Sequence, residues 1–186
     1  NPVQVAEEAA TLDYITGGRF ILGVGLGYRE AEDGAFAVRR AEKPGRLAEA
    51  VTLIRRLFTE DRVTFDGKYF QVKDVHLSLR GVRPGGPPIW IAALVDAAVK
   101  RAGEIGDGWI ITFYPSMAML KPQMTLFKAA HEASGRKSVV EYPAIKELYV
   151  AETTEQAVRE SRPYIENKYR TYAKGGQDRL LPPEEK

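Results

Sequence analysis

Apolar residues first recur at helical spacing. Val5, Ala9 and Leu12, flanked by Ala6 and Ala10, form a stripe that stops at Gly17-Gly18. Asn1-Pro2 supplies the start, because Asn caps and Pro in the first turn gives up a donor that is unpaired anyway. The period then changes. Residues 19–24 are short and almost continuously apolar, as in a strand buried on both faces. Gly25-Leu26-Gly27-Tyr28 leaves that strand as a flexible turn, and residues 29–43, polar with scattered aromatics, read as an active loop or short helix. From Pro44, Leu47, Val51, Ile54 and Phe58 fall at i, i+4, i+7 and i+11 and give the clearest helix. Residues 63–70 read as a hairpin whose Asp66-Gly67 turn needs positive φ twice.

Pro84-Gly85-Gly86-Pro87-Pro88 stops all periodicity and feeds a strand at residues 89–93. A helix over 96–105 closes at Gly106, and residues 109–113 form a third buried strand. A further helix over 122–133 ends at Gly135, with Pro122 expected in its first turn, since deeper inside it would break the ladder. Residues 145–150 predict a fourth strand. Thr153-x-x-Gln156 opens a last helix that reaches about Ala173 and stops at Gly175-Gly176. Buried strands alternating with helices specify α/β with a parallel sheet, the hairpin being an insertion. Four strands are too few for a closed eight-stranded barrel of ~250 residues. The pattern therefore fits either a small open sheet, binding some nucleotide, or part of a barrel.

Composition narrows the chemistry. Lys and Arg number 27 against 25 Asp and Glu, a net charge of +2, so the basic stripe of a nucleic-acid binder is not expected. Cysteine is absent, which excludes disulfides, thiolate metal sites and a cysteine nucleophile. The only histidines, His76 and His131, are too far apart for a histidine metal motif and read as surface or packing residues. The longest uncharged run, residues 108–120, is 13 long, short of the ~20 that span a bilayer. No membrane association is expected. Asn1 is not an initiator methionine and no signal pattern follows it, so the chain is expected to begin inside something longer, in the cytoplasm.

Parallel α/β folds meet ligands at the carboxyl ends of their strands. Those ends lie at residues 25–30, 92–96, 112–116 and 151–154. At the first, Gly23, Gly25 and Gly27 alternate and bare one face of the backbone to a planar ligand, although they also serve if they only relieve crowding. The dinucleotide fingerprint fails, because Tyr28 or Glu30 stands where the third glycine belongs. Ala92-Ala93-Leu94 leads to a helix start whose free N–H groups suit a phosphate, yet Asp96 reads as a capping carboxylate that would compete for them. Trp109 reads as core. Tyr28, Arg29 and Glu30 form the one tight polar cluster aimed at the mouth and are weak catalytic candidates.

Five blocks in order resemble the bacterial luciferase-like flavin-dependent monooxygenases, including their deazaflavin branch. They are Ala6 to Asp13 with Gly17-Gly18-Arg19-Phe20-Ile21-Leu22-Gly23-Val24-Gly25-Leu26-Gly27-Tyr28; Arg46-Leu47-x-Glu49-Ala50 through Leu57-Phe58-Thr59-Glu60-Asp61; Phe65-Asp66-Gly67-Lys68-Tyr69-Phe70; Pro87-Pro88-Ile89-Trp90-Ile91; and Gly106-Asp107-Gly108-Trp109. The resemblance implies an incomplete TIM barrel, one domain over 1–176 with a polar tail at 177–186, supplying the middle strands. It implies an oxidoreductase in which reduced FMN and O₂ oxidise a small organic substrate, or in which a deazaflavin exchanges a hydride. Gly25, Gly27 and Tyr28 would border the ring, and Ala92, Ala93 and Leu94 would hold the phosphate, where the family more often has Gly-Gly and a small hydroxyl residue. It further implies NAD(P)H acting indirectly through a flavin reductase partner, and a homo-oligomer. A third expectation is a non-catalytic truncated barrel that associates through its strand edges.

Overall fold

The computed structural model describes residues 1–113, 115–136 and 141–174, apart from the side chains of Glu30 and Ala31. The expected Gly175-Gly176 stop and the tail at 177–186 lie outside the described residues. The elements run α1 Pro2–Ile15, β1 Leu22–Val24, α2 Glu30–Ala35, a 3-10 turn Arg40–Glu42, α3 Lys43–Thr59, β2 Val63–Asp66, β3 Gln71–Val75, β4 Ile89–Ala93, α4 Asp96–Ile105, β5 Gly108–Ile111, α5 Met117–Ala133 and α6 Thr154–Lys174. Asn1 caps α1 as expected, its side-chain oxygen accepting the Val3 N–H at 2.9 Å. No helix among the described residues is long and apolar enough to cross a membrane.

One sheet is parallel, in the order β1-β4-β5, and β2-β3 form a separate antiparallel hairpin. The register pairs Gly23 with Trp90, Trp90 with Gly108 and Ala92 with Ile110. Paired residues of a parallel ladder share a face, so these five line one side of the sheet. Ile89, Ile91, Ala93, Trp109 and Ile111 line the other and are buried under the helices with Val51, Leu53, Leu57, Val99 and Phe127. Trp109 is fully buried and stacks on Phe127 at 6.1 Å, so it is core, as expected. His131 is likewise buried against Phe127, whereas His76 is exposed on the surface.

No fourth strand forms at 145–150; the parallel pairing beside β5 is two isolated bridges, earlier in the chain. Glu141 bridges Gly108 and Ala144 bridges Ile111, with Ile111 N–H donating to the Pro143 carbonyl at 2.8 Å. Pro143 has no N–H to offer, which leaves isolated bridges rather than a continuous ladder. Residues 145–150, expected as that strand, lie beyond it with Leu148 and Val150 exposed. Pro122 is also not in the first turn of its helix. α5 begins five residues earlier, at a Ser116 cap, and the carbonyl that loses its donor belongs to Ala118, an exposed residue.

The hairpin turn differs too. Neither Asp66 nor Gly67 has positive φ. Instead the Glu49 carboxylate on α3 accepts the N–H groups of Lys68 at 2.9 Å and Tyr69 at 2.8 Å, fastening the turn to the helix. A side chain at Gly67 would collide with that carboxylate and the Phe65 ring, so the glycine serves close approach rather than φ.

The amino end of the sheet is locked by charge. Asp107, 8% exposed, accepts the Ile89 N–H at 2.8 Å and pairs with Arg55 at 2.7 Å, while its own N–H donates to the Ile89 carbonyl. An added Cβ at Gly106 would meet Ile91 at 2.5 Å, and one at Gly108 would meet the Trp90 indole at 2.6 Å. The motif Gly106-Asp107-Gly108 is thus a register clamp between β4 and β5. Nearby, fully buried Asp13 accepts from the Val82 N–H at 2.9 Å and from the Arg83 guanidinium at 2.9 Å. Burial pushes the Asp13 carboxyl up, but the Val82 and Arg83 hydrogen bonds outweigh it and hold the group below the ordinary carboxylate range.

Candidate functional site

At the opposite, carboxyl end, β1 releases the chain into Gly25-Leu26-Gly27-Tyr28. Gly23, Gly25 and Gly27 are all exposed, so the bared face stays open. Gly27 has φ +68° and no atom within 4 Å of a would-be Cβ, and at Gly25 the nearest such neighbour is the Ala92 methyl at 3.3 Å. Gly25 and Ala92 therefore sit side by side with nothing large between them. A flat group can approach both backbones there.

Next to this edge α4 begins. Its N-cap is Val95, which offers no side-chain hydrogen bond. The expected cap, Asp96, is turned away: its carboxylate accepts from the buried Gln123 amide at 2.9 Å, and the same amide donates to the Leu94 carbonyl at 2.8 Å. Asp96 cannot reach a donor that its own backbone occupies, whereas Gln123 of α5 lies across it. The exposed first turn of α4 has no side-chain cap; the Ala98 N–H donates to the Val95 carbonyl at 2.8 Å, which leaves the Asp96 and Ala97 N–H groups and the partial positive charge of the helix end to attract phosphate. Of the residues expected here, Ala92 faces the bared glycines, while the Ala93 side chain is buried behind the sheet and its carbonyl accepts the Trp109 indole N–H at 2.9 Å. Leu94 is half-buried, and its carbonyl is the one held by Gln123.

Tyr28 is 53% exposed at this rim, with the Arg29 guanidinium 5.6 Å from its ring centre. Arg29 pairs with Glu32 at 3.3 Å on the surface. The Glu30 side chain lies outside the described residues. Three further groups at the rim were not expected: Phe113 after β5, and Lys168 and Tyr172 of α6. Lys168 pairs with Glu147, and that hydrogen bond holds the Glu147 carboxyl below its ordinary range and raises the Lys168 ammonium above its own. Their signal in the sequence was the Lys168-Tyr169-x-x-Tyr172 spacing, which puts a cation and two rings on one helix face.

Comparison with known proteins follows the same outline. Residues 1–183 match the family described as luciferase-like monooxygenase. An F420-dependent glucose-6-phosphate dehydrogenase from Kineococcus radiotolerans is 37% identical over 139 residues, covering 73% of this chain and 41% of that protein. The crystal structure of the monooxygenase RslO1 from Streptomyces bottropensis superposes with a TM-score of 0.83 at 26% identity, over 97% of this chain and 56% of that one. An F420-dependent secondary alcohol dehydrogenase, solved with an F420-acetone adduct, is alike in fold with a TM-score of 0.75 at 24% identity, over 87% of this chain and 50% of that one. The chain thus spans about two-fifths of the curated relative and half of the solved ones. Its architecture is an incomplete α/β barrel of the TIM type.

Proposed function

This chain belongs to the luciferase-like monooxygenase family, and from that premise we propose that it forms the cofactor-holding part of a deazaflavin-dependent oxidoreductase. The observation that carries the reading is the glycine-bared exit of β1 standing open beside the uncapped N-terminus of α4. A flat ring with a phosphate-bearing tail needs those two features next to one another. The deazaflavin supplies the capacity to accept or donate a hydride. Gly25 and Gly27 let a ring lie against bare backbone, and Ala92 keeps the neighbouring strand equally low. The first turn of α4 takes the phosphate through backbone N–H groups, with Asp96 kept off them by Gln123. The relative named as F420-dependent, 37% identical, favours a deazaflavin over FMN. The substrate is a carbon bearing hydroxyl and hydrogen. A bound deazaflavin would supply the hydride acceptor for that carbon, the hydroxyl proton going to solvent and a carbonyl being left.

A second reading, reduced FMN with O₂ and a separate reductase, draws on the solved monooxygenase that matches 97% of the chain. Fluorescence titration separates the two. Saturable binding of F420, with weaker binding of FMN and no O₂ uptake, is the expected result. Tighter FMN binding with O₂ uptake would transfer the protein to the second reading, and saturation by neither would remove both.

A further inference from the structure

A cavity of about 380 Å³ opens at the amino end of the sheet, away from the glycine-bared exit and unused by the cofactor reading. Two arginines line it, each anchored through a single nitrogen. Arg55 of α3 donates from Nη2 to Asp107 at 2.7 Å and to the Ile105 carbonyl at 3.1 Å. Arg83 donates from Nη2 to buried Asp13 at 2.9 Å and to the Phe20 carbonyl. The Nε of each is buried without an acceptor, and the side chains are 27% and 31% exposed. What each guanidinium has left to offer is its Nη1 edge. Arg136 adds positive charge close by: burial, and then the Arg55 charge, hold its guanidinium below its ordinary range.

The walls are stiff. The Pro84 to Pro88 break folds into a turn in which the Gly86 N–H donates to the Arg83 carbonyl at 2.9 Å, with Pro84 second and Gly85, φ +87°, third. Gly86 sits against the Phe58 ring, and the half-buried Trp90 indole packs on Gly108. Trp90 and Pro87-Pro88 therefore give the cavity an apolar side facing its cationic one. Of the two carboxylates in the lining, Asp107 is spent on Arg55 and the Ile89 N–H. Glu141 is exposed and makes no ion pair with a described residue.

We propose that this cavity is a binding site for a small organic acid anion, with the carboxylate on the Nη1 edges of Arg55 and Arg83 and the apolar body against Trp90 and Pro87-Pro88. Guanidinium edges match a carboxylate in shape and charge. Their anchors to Asp107 and Asp13 fix both arginines beforehand, so little side-chain freedom is lost on binding. The volume is that of a small-ligand pocket. The site holds its ligand and does no chemistry on it.

Calorimetric titration with sodium benzoate tests the site, in wild type and in variants that leave both arginine anchors intact. Saturable binding is expected in the wild type. Glu141→Gln removes the one opposing free charge and should tighten benzoate by about threefold. Gly85 has no atom within 4 Å of a would-be Cβ, and Asp and Asn tolerate its positive φ. Gly85→Asp should weaken benzoate by about tenfold relative to Gly85→Asn, which has the same shape without the charge. Inorganic phosphate, a charge without an apolar body, should bind at least about tenfold more weakly than benzoate. No saturable benzoate binding, equal affinities in Gly85→Asp and Gly85→Asn, weaker binding in Glu141→Gln, or phosphate binding as tight as benzoate would each overturn the proposal. None of these titrations contains F420, so their outcome is independent of the oxidoreductase reading.

Discussion

The two ends of the parallel sheet are built by opposite rules. At the amino end the strand starts are tied down: Asp107 holds the Ile89 N–H and Arg55, and Gly106 and Gly108 are glycine because Ile91 and Trp90 fill the space a side chain would need. At the carboxyl end Gly27 borders open space and Gly25 meets only the Ala92 methyl and carbonyl, the helix that starts there has no side-chain cap, and α6 rests on ring contacts without a buried residue. The same residue type thus means two things. Glycine at the amino end is imposed by packing, and at the carboxyl end it is available for a ligand. Barrel enzymes separate stability and chemistry between their two faces in this way, and the division is visible here within three strands.

The largest effect should come from the amino end. Asp107→Ala strands the Arg55 charge and the Ile89 N–H, and the expected loss is about 3–5 kcal/mol in a denaturant titration. A loss below about 1 kcal/mol would mean the clamp is not the anchor. Asp13→Asn should cost about 1.5–3 kcal/mol at neutral pH, since Asp13 accepts charged and backbone donors while fully buried. The folded carboxyl sits below its ordinary value, so its contribution is complete above the unfolded value of about 3.9 and disappears as pH falls through the folded one. The stability gap between wild type and Asp13→Asn should therefore close on acidification. A gap that widened would reverse the sign of the argument. Gly108→Ala should cost about 1–3 kcal/mol by overpacking against Trp90. Gly27→Ala should cost only about 1 kcal/mol, from its positive φ in open space. If Gly27 proved the costlier of the two, the contrast between the ends would be lost.

Much of this was legible where punctuation is local. The Pro84 to Pro88 break and Gly106 bracketed β4 and α4 to the residue. Gly25 and Ala92 meet beside one strand exit, because alternation along parallel strands assigns faces directly. One residue along, the Ala93 side chain falls on the core face, so its backbone alone is left as a candidate for the phosphate. The fourth strand expected at 145–150 does not form: that stretch looks apolar, but the pairing to β5 is made earlier, as isolated bridges at Glu141 and Ala144. The Asp96 cap failed because its competitor, Gln123, comes from another helix. The line of ring contacts from Tyr28 through Tyr172 to Phe113 joins three distant parts of the chain, and no local pattern encodes such a meeting.

Titration of Gly25→Val with F420, beside the wild type, tests the carboxyl-end assignment most directly. Valine there projects its branches onto the bared face next to Ala92, in the place a flat ring would occupy. Affinity should fall by about tenfold or more, while the unfolding free energy changes by no more than about 1 kcal/mol. Equal affinity in the two proteins would put the ring elsewhere and contradict the account.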